Sequence, residues 1–125
     1  MTPRVLVVEE QPALRHQYAT YLRDEGYDVV TAEAIEDVVA MVQRMSPDVV
    51  VLDPDSGGGL GMKTAFTLLE MGLSTSLVFN TSRPYSMETD FSTWVADAYS
   101  VRTHGVEDLG RALRQVLASE SLAIS

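Results

Sequence analysis

The segment Val49-Val50-Val51-Leu52-Asp53 is the most apolar stretch of the chain, and it ends in a carboxylate. A short apolar run without polar alternation is typical of a strand buried on both faces, as in a parallel sheet. Ser46-Pro47 precedes this run and the glycine-rich turn Gly57-Gly58-Gly59 follows it, and both are signals that interrupt regular structure. We therefore predict a central strand with Asp53 at its carboxyl end.

Further apolar runs predict four more strands, and the stretches between them carry apolar residues at helical spacing. The strands are predicted at residues 5–8, 27–31, 77–79 and 98–101, the helices at 13–25, 35–45, about 62–71 and 106–119, and a weak helix between Ser82 and Thr93. This alternation predicts an α/β fold, a doubly wound five-stranded parallel sheet with helices on both faces. Ligand sites in such folds lie outside the carboxyl ends of the strands.

Length and composition restrict the function classes. The 125 residues suit one domain, which we assign to residues 1–119 with a short polar tail at 120–125. Cysteine is absent, which excludes disulfides and thiolate metal sites. The net charge of -9 argues against direct binding to nucleic acid or to an anionic membrane. Because the apolar runs are too short for a bilayer span or a signal peptide, we expect a cytoplasmic protein.

The predicted strand ends carry the residues that suggest chemistry. They are Glu9 and Glu10 after the first strand, Asp53 and Asp55 after the third, Thr81 after the fourth and Arg102 after the fifth. Carboxylates gathered in a partly dry site repel one another, and a hard divalent cation such as Mg²⁺ relieves that repulsion. Together with a hydroxyl and an arginine, such a cation provides a place for a phosphoryl group, with Asp53 as nucleophile.

These features together resemble the receiver domain of two-component response regulators. The resemblance covers about residues 4–118 and is carried by four segments: Val5-Leu6-Val7-Val8-Glu9-Glu10-Gln11-Pro12, Pro47-Asp48-Val49-Val50-Val51-Leu52-Asp53, Leu77-Val78-Phe79-Asn80-Thr81 and Ala96-Asp97-Ala98-Tyr99-Ser100-Val101-Arg102. It implies a flavodoxin-like topology with strand order 2-1-3-4-5. It also implies that a sensor histidine kinase or a phosphotransfer protein donates a phosphoryl group to Asp53.

The same resemblance assigns roles to the other residues at the strand ends. Glu9 and Glu10 match the acidic pair that binds Mg²⁺ together with Asp53 and the backbone at Asp55. Thr81 matches the hydroxyl residue that moves toward the phosphoryl group, although Asn80 and Ser82 offer alternative registers. Tyr99 matches the switch aromatic that reports phosphorylation to a partner.

The chain departs from the family pattern at four positions. Both members of the acidic pair are glutamate, which is one methylene longer than aspartate. Arg102 stands where the family has a lysine, and a planar guanidinium differs from a compact ammonium. Thr103 stands where a proline usually follows. These departures favour a second hypothesis, a phosphorylation-independent pseudo-receiver that acts as a protein-interaction module.

A third hypothesis is a phosphatase, because Asp53-Pro54-Asp55 resembles the D-x-D motif of haloacid-dehalogenase-like enzymes. That motif normally ends the first strand rather than the third, so we expect no enzyme beyond self-dephosphorylation. We expect the output to be contact with a downstream protein target, or with an effector domain beyond Ser125 if the chain is a fragment. Receivers often form homodimers through their last two strand–helix units, and this chain offers the same possibility.

Overall fold

The computed structural model describes residues 2–82 and 95–124. Within those residues, five strands and four helices follow one another along the chain. They are β1 (Arg4–Val8), α1 (Pro12–Asp24), β2 (Asp28–Ala32), α2 (Val38–Met45), β3 (Val49–Leu52), α3 (Ser56–Glu70), β4 (Ser76–Thr81), β5 (Ala98–Val101) and α4 (Val106–Ile124). The weak helix predicted between Ser82 and Thr93 lies outside the described residues from position 83 onward.

The strands form one parallel sheet in the order β2-β1-β3-β4-β5. This confirms the predicted doubly wound fold and its strand order. Every residue of β3 and β4 is buried, as expected for strands without polar alternation.

Two apolar clusters cover the two faces of the sheet. Because successive residues of a strand point to opposite faces, Val5 and Val7 of β1 pack toward α1 and α4, whereas Leu6 packs toward α2 and α3. Each of these three side chains is at most 1% exposed. Burying one such side chain contributes about 1.5–3 kcal/mol to folding. The rigid, fully covered sheet fixes the positions of its strand ends.

The start of α3 agrees with the sequence prediction, whereas the end of α4 differs from it. The range of α3 opens at Ser56, but Gly57, Gly58 and Gly59 have non-helical backbone with φ of 63°, 67° and 100°, so the regular helix follows a glycine turn as predicted. Only glycine adopts that region readily, so the chain turns tightly here. α4 continues to Ile124, whereas we predicted a tail from residue 120. That segment contains neither glycine nor proline, so nothing in it interrupts a helix.

The register of the sheet positions the candidate site. Val7 of β1 lies opposite Val51 of β3. Glu9 and Asp53 each follow two residues later, so they emerge at the same level on neighbouring strands. Thr81 lies opposite Val101 at the ends of β4 and β5, and Arg102 follows at once. The topology therefore brings these strand ends to one edge of the sheet.

Candidate functional site

A cleft of about 390 Å³ lies at this edge of the sheet. Its lining residues come from the segments that follow β1, β3, β4 and β5: among them are Glu9, Glu10, Gln11, Asp53, Ser56, Gly57, Ser82 and Arg102. The cleft thus contains carboxylates, hydroxyls and one guanidinium. It has the size and polarity for a small charged group.

Glu9 is a carboxylate held inside the protein. Its side chain is only 5% exposed. Oε2 accepts a hydrogen bond from the backbone N–H of Gln11 at 3.1 Å, and Oε1 lies 2.7 Å from Nη1 of Arg102. The second contact is a close ion pair rather than a directional hydrogen bond, so Oε1 is buried without a hydrogen-bond donor among the described residues. A carboxylate at this depth requires a cation beside it.

Asp53 lies on the other side of the same guanidinium. Its Oδ2 is 3.3 Å from Nη2 of Arg102, and its Oδ1 accepts a hydrogen bond from the backbone N–H of Asp55 at 2.9 Å. Burial raises the pKa of the Asp53 carboxyl above its usual range, although the Asp55 N–H and the Arg102 charge oppose that rise. The carboxylate is therefore only partly stabilised by its two contacts.

Arg102 bridges the two carboxylates from a short 3₁₀ turn, Arg102–His104, directly after β5. A network around Asp108 fixes this turn. Oδ2 of Asp108 accepts the backbone N–H of Val101 at 2.8 Å, and Oδ1 accepts Nε of Arg111 at 2.8 Å. Burial alone would raise the pKa of Asp108, but these two donors hold the pKa below its usual range. The network anchors the end of β5 to α4.

Glu10 does not join the other two carboxylates. Its side chain is exposed, and its Oε1 accepts a hydrogen bond from the hydroxyl of Ser56. Asp55 is exposed as well. Among residues 2–82 and 95–124, no group of three aspartate, glutamate or histidine side chains lies close enough to hold a metal ion. The predicted convergence of the acidic side chains is therefore incomplete, because Arg102 lies between Glu9 and Asp53.

The carboxylate oxygens of Glu9 and Asp53 are nevertheless the type of ligand that a hard divalent cation binds. Oε1 of Glu9 is a buried carboxylate oxygen with no hydrogen-bond donor, and Oδ2 of Asp53 lies near it in the same cleft. Mg²⁺ prefers such oxygen ligands. Both oxygens contact the guanidinium of Arg102 in this structure, so a cation would have to take its place.

Thr81 and Tyr99 lie on β4 and β5, respectively. Thr81 is fully buried at the end of β4, and the neighbouring Ser82 lines the cleft. The ring of Tyr99 packs edge-on against Phe79 with 5.9 Å between ring centroids, and its hydroxyl oxygen is buried. The backbone carbonyl of Tyr99 accepts a hydrogen bond from Arg111 at 2.8 Å. Tyr99 is thus packed inward in this structure.

The sequence analysis missed two residues that organise the cleft. Arg15, one turn into α1, donates from Nη1 to the backbone carbonyls of Glu9 and Glu10 at 3.0 and 3.4 Å. Ser56 holds the Glu10 carboxylate, as described above. An arginine one helical turn after an acidic pair is a detectable signal, whereas the hydroxyl of Ser56 has no distinctive spacing.

The fold and the cleft define an α/β protein with an ionic site at the carboxyl ends of its parallel strands. The chain matches the response regulator receiver domain over residues 5–99 and belongs to that family. It is 32% identical over 122 residues to the transcriptional regulatory protein TrcR of Mycobacterium tuberculosis, covering 94% of this chain and 46% of that protein. The chain therefore spans about half the length of this curated relative.

Solved structures agree with the assignment. Response regulator TrrA of Thermotoga maritima, in complex with Mg²⁺-BeF, is 28% identical, with a TM-score of 0.79 over 92% of this chain and 99% of that one. TrrA in complex with the histidine kinase ThkA is 27% identical, with a TM-score of 0.81 over 93% of this chain and 99% of that one. The chain is thus a receiver domain, a class of phosphoacceptor signalling domains. In its described residues, no helix is long and apolar enough to cross a membrane.

Proposed function

We propose that this receiver domain is a phosphoaspartate switch with Asp53 as its acceptor. The position of Asp53 is the observation that carries the proposal. Its carboxylate directly follows the central strand β3, lines the cleft and lies 3.3 Å from the only arginine that lines that cleft in the described residues. A nucleophile beside a cationic group is the arrangement that phosphoryl transfer needs.

Each group at the cleft has one role in the proposed phosphoryl transfer. An Asp53 oxygen attacks the phosphorus of a phosphohistidine, the P–N bond breaks, and the imidazole leaves with the bonding electron pair. The product is an acyl phosphate on Asp53. Arg102 stabilises the added negative charge, and the Thr81 hydroxyl binds a phosphoryl oxygen when it moves toward the cleft. The packing of Tyr99 against Phe79 then changes, which alters the surface around β5.

Mg²⁺ is the cation we propose for this site. The residues that would hold it are Glu9, Glu10, Asp53 and, through its backbone, Asp55. When bound, it would neutralise charge on the transferring phosphoryl group. Glu10 and Asp55 are exposed beside the cleft, so both are accessible to such an ion.

The proposed partners follow from the relatives. TrrA is seen in complex with the histidine kinase ThkA, which supports a sensor kinase or a phosphotransfer protein as the donor for this chain. We propose that the output passes to a downstream protein or effector domain, with homodimerisation as one route, and that the chain acts in the cytoplasm. Direct nucleic-acid or membrane binding is not proposed, because the net charge is -9.

Acetyl phosphate with Mg²⁺ tests the acceptor without knowledge of the kinase. We expect intact-mass spectrometry to show one added phosphoryl group on the wild type and none on Asp53→Asn. The matched control is Asp28→Asn, since Asp28 pairs with Arg4 at 2.9 Å at the amino-terminal edge of the sheet. Phosphoryl uptake that persists in Asp53→Asn would move the acceptor elsewhere.

A phosphorylation-independent interaction module is the second candidate. The ion pairs from Arg102 to both Glu9 and Asp53 favour it, because they satisfy the buried charges without any ligand. Absence of phosphoryl uptake by the wild type, with no response to beryllofluoride, would support this candidate over the switch. The family assignment leaves the D-x-D phosphatase hypothesis without support, since the motif ends the third strand of a receiver fold.

A further inference from the structure

Two departures from the receiver pattern contact each other in this chain. The longer acidic residue Glu9 and the arginine Arg102 form a 2.7 Å ion pair. Glu9 is 5% exposed and Arg102 is 19% exposed, so water screens the pair only weakly. The two substitutions are therefore physically coupled.

The reach of the two side chains explains the coupling. Glu9 follows β1 and Arg102 follows β5, and these strands are separated by β3 and β4. Neighbouring strands lie about 4.8 Å apart, so the gap spans roughly three such spacings. The extra methylene of glutamate and the long, forked guanidinium together close that gap. A guanidinium can also contact two carboxylates with separate nitrogens, and here Nη2 contacts Asp53.

We propose that Arg102 is a built-in counter-ion that competes with the divalent cation for Glu9 and Asp53. The inference rests on the cation site named in the proposed function. A metal ion bound to the two oxygens that face the guanidinium would bring two positive charges within a few ångströms of each other, so Arg102 must withdraw from these oxygens when the cation binds. The domain therefore exchanges one internal cation for one external cation.

This exchange sets the affinity of the site. The apparent dissociation constant equals the intrinsic constant divided by the fraction of molecules in which Arg102 has released the carboxylates. If one molecule in about ten is in that state, the measured affinity for Mg²⁺ is about tenfold weaker than the intrinsic affinity. Nε of Arg102 is buried without a hydrogen-bond acceptor among the described residues, so the arginine has an unused donor for a phosphoryl oxygen.

Magnesium titrations of the wild type, Arg102→Ala and Arg102→Gln test the competition. We expect both variants to melt at a lower temperature than the wild type in EDTA, because Glu9 is left buried without a counter-ion. Mg²⁺ should restore their stability and bind at least about tenfold more tightly than to the wild type, as measured by calorimetry. Arg4→Ala, which removes an exposed ion-paired arginine from the opposite edge of the sheet, should bind Mg²⁺ like the wild type.

A second measurement uses the unaltered protein, in case a variant fails to fold. The side-chain Nε–H resonance of Arg102 should shift and saturate during a Mg²⁺ titration of the wild type. Unchanged Mg²⁺ affinity in both variants, or saturation of the site without movement of the Arg102 resonance, would overturn the competition.

Phosphoryl uptake from acetyl phosphate is measured separately on the same samples. Tighter Mg²⁺ binding in the variants without phosphoryl uptake in any sample would refute the acceptor role of Asp53 and leave the competition intact. Phosphoryl uptake by Asp53 with equal Mg²⁺ affinities in the wild type and the variants would support the acceptor role and refute the competition.

Discussion

Asp53 directly follows the central strand β3, in an environment that disfavours its negative charge. Burial raises the pKa of its carboxyl, and the backbone N–H of Asp55 and the charge of Arg102 compensate only in part. The ionised form therefore costs stability in the folded domain, which is common at functional sites.

We predict that Asp53→Asn stabilises the domain at neutral pH by about 1 kcal/mol, a rise in Tm of about 4 °C. A carboxyl with a raised pKa contributes full stability below its unfolded pKa of about 3.9, and that contribution is lost as the pH rises through the folded pKa. The difference in Tm between Asp53→Asn and the wild type should therefore shrink as the pH falls from about 7 to about 4. Thermal melts across this pH range measure the difference in Tm.

Asp28→Asn is the matched control for this prediction. Asp28 makes an exposed ion pair with Arg4, which is worth at most about 1 kcal/mol, so its replacement should be neutral or slightly destabilising. A Tm of Asp53→Asn below that of the wild type at neutral pH would contradict the prediction.

The sequence predicted which residues gather at the cleft but not how they pair. Strand ends of a parallel sheet share one edge, so Glu9, Asp53 and Arg102 were expected there. Their pairing depends on side-chain reach and rotamers across three strand spacings, which no sequence pattern encodes. Glu10 shows the same limit, because its carboxylate accepts a hydrogen bond from the hydroxyl of Ser56.

The start of α3 packs closely against the backbone of Asp53. A Cβ on Gly61 would lie 2.1 Å from the backbone carbonyl oxygen of Asp53, which is far inside contact distance. The backbone N–H of Met62 bonds the carbonyl of Pro54 at 2.9 Å, which fixes the approach of helix and loop. Gly61 therefore sets how close α3 lies to the end of β3.

Gly61→Ala should destabilise the domain by about 3 kcal/mol, because backbone atoms must shift to admit the methyl group. Gly58→Ala is the control: its Cβ would meet no atom within 4 Å, and only its φ of +67° is unfavourable. That left-handed backbone costs a non-glycine residue about 1–2 kcal/mol. Urea unfolding of both variants measures the difference, and equal losses would show that the close approach is relaxed without cost.

The order of the elements was easier to predict than their limits. Apolar runs such as residues 49–52 and 98–101 define strands clearly, and both strands begin and end as predicted. The three successive glycines before the regular part of α3 predicted a turn, and their non-helical backbone confirms it. The polar composition after Ser119 suggested a tail, but composition without glycine or proline does not end a helix.

The net charge is a property of the whole domain. The chain carries 18 acidic and 9 basic residues. Several of the arginines form ion pairs with acidic side chains in the described residues, as in the pairs Arg4–Asp28 and Arg15–Glu33. The remaining negative charges repel one another, which opposes the compact state. Screening by salt should reduce this repulsion at any site on the surface.

We predict that NaCl raises the Tm of the wild type by a few degrees between about 0.01 M and about 0.3 M, as the Debye length falls from about 30 Å to below 10 Å. Screening does not depend on the cleft, so Asp53→Asn should respond to NaCl by the same amount. MgCl₂ at matched ionic strength should raise the Tm further only in proteins that retain Glu9 and Asp53. This additional rise in Tm should be largest in Arg102→Ala. A Tm that is flat or falls with NaCl would show that self-repulsion does not limit this fold. An equal additional increase in Asp53→Asn would show that Mg²⁺ acts through the surface rather than through the cleft.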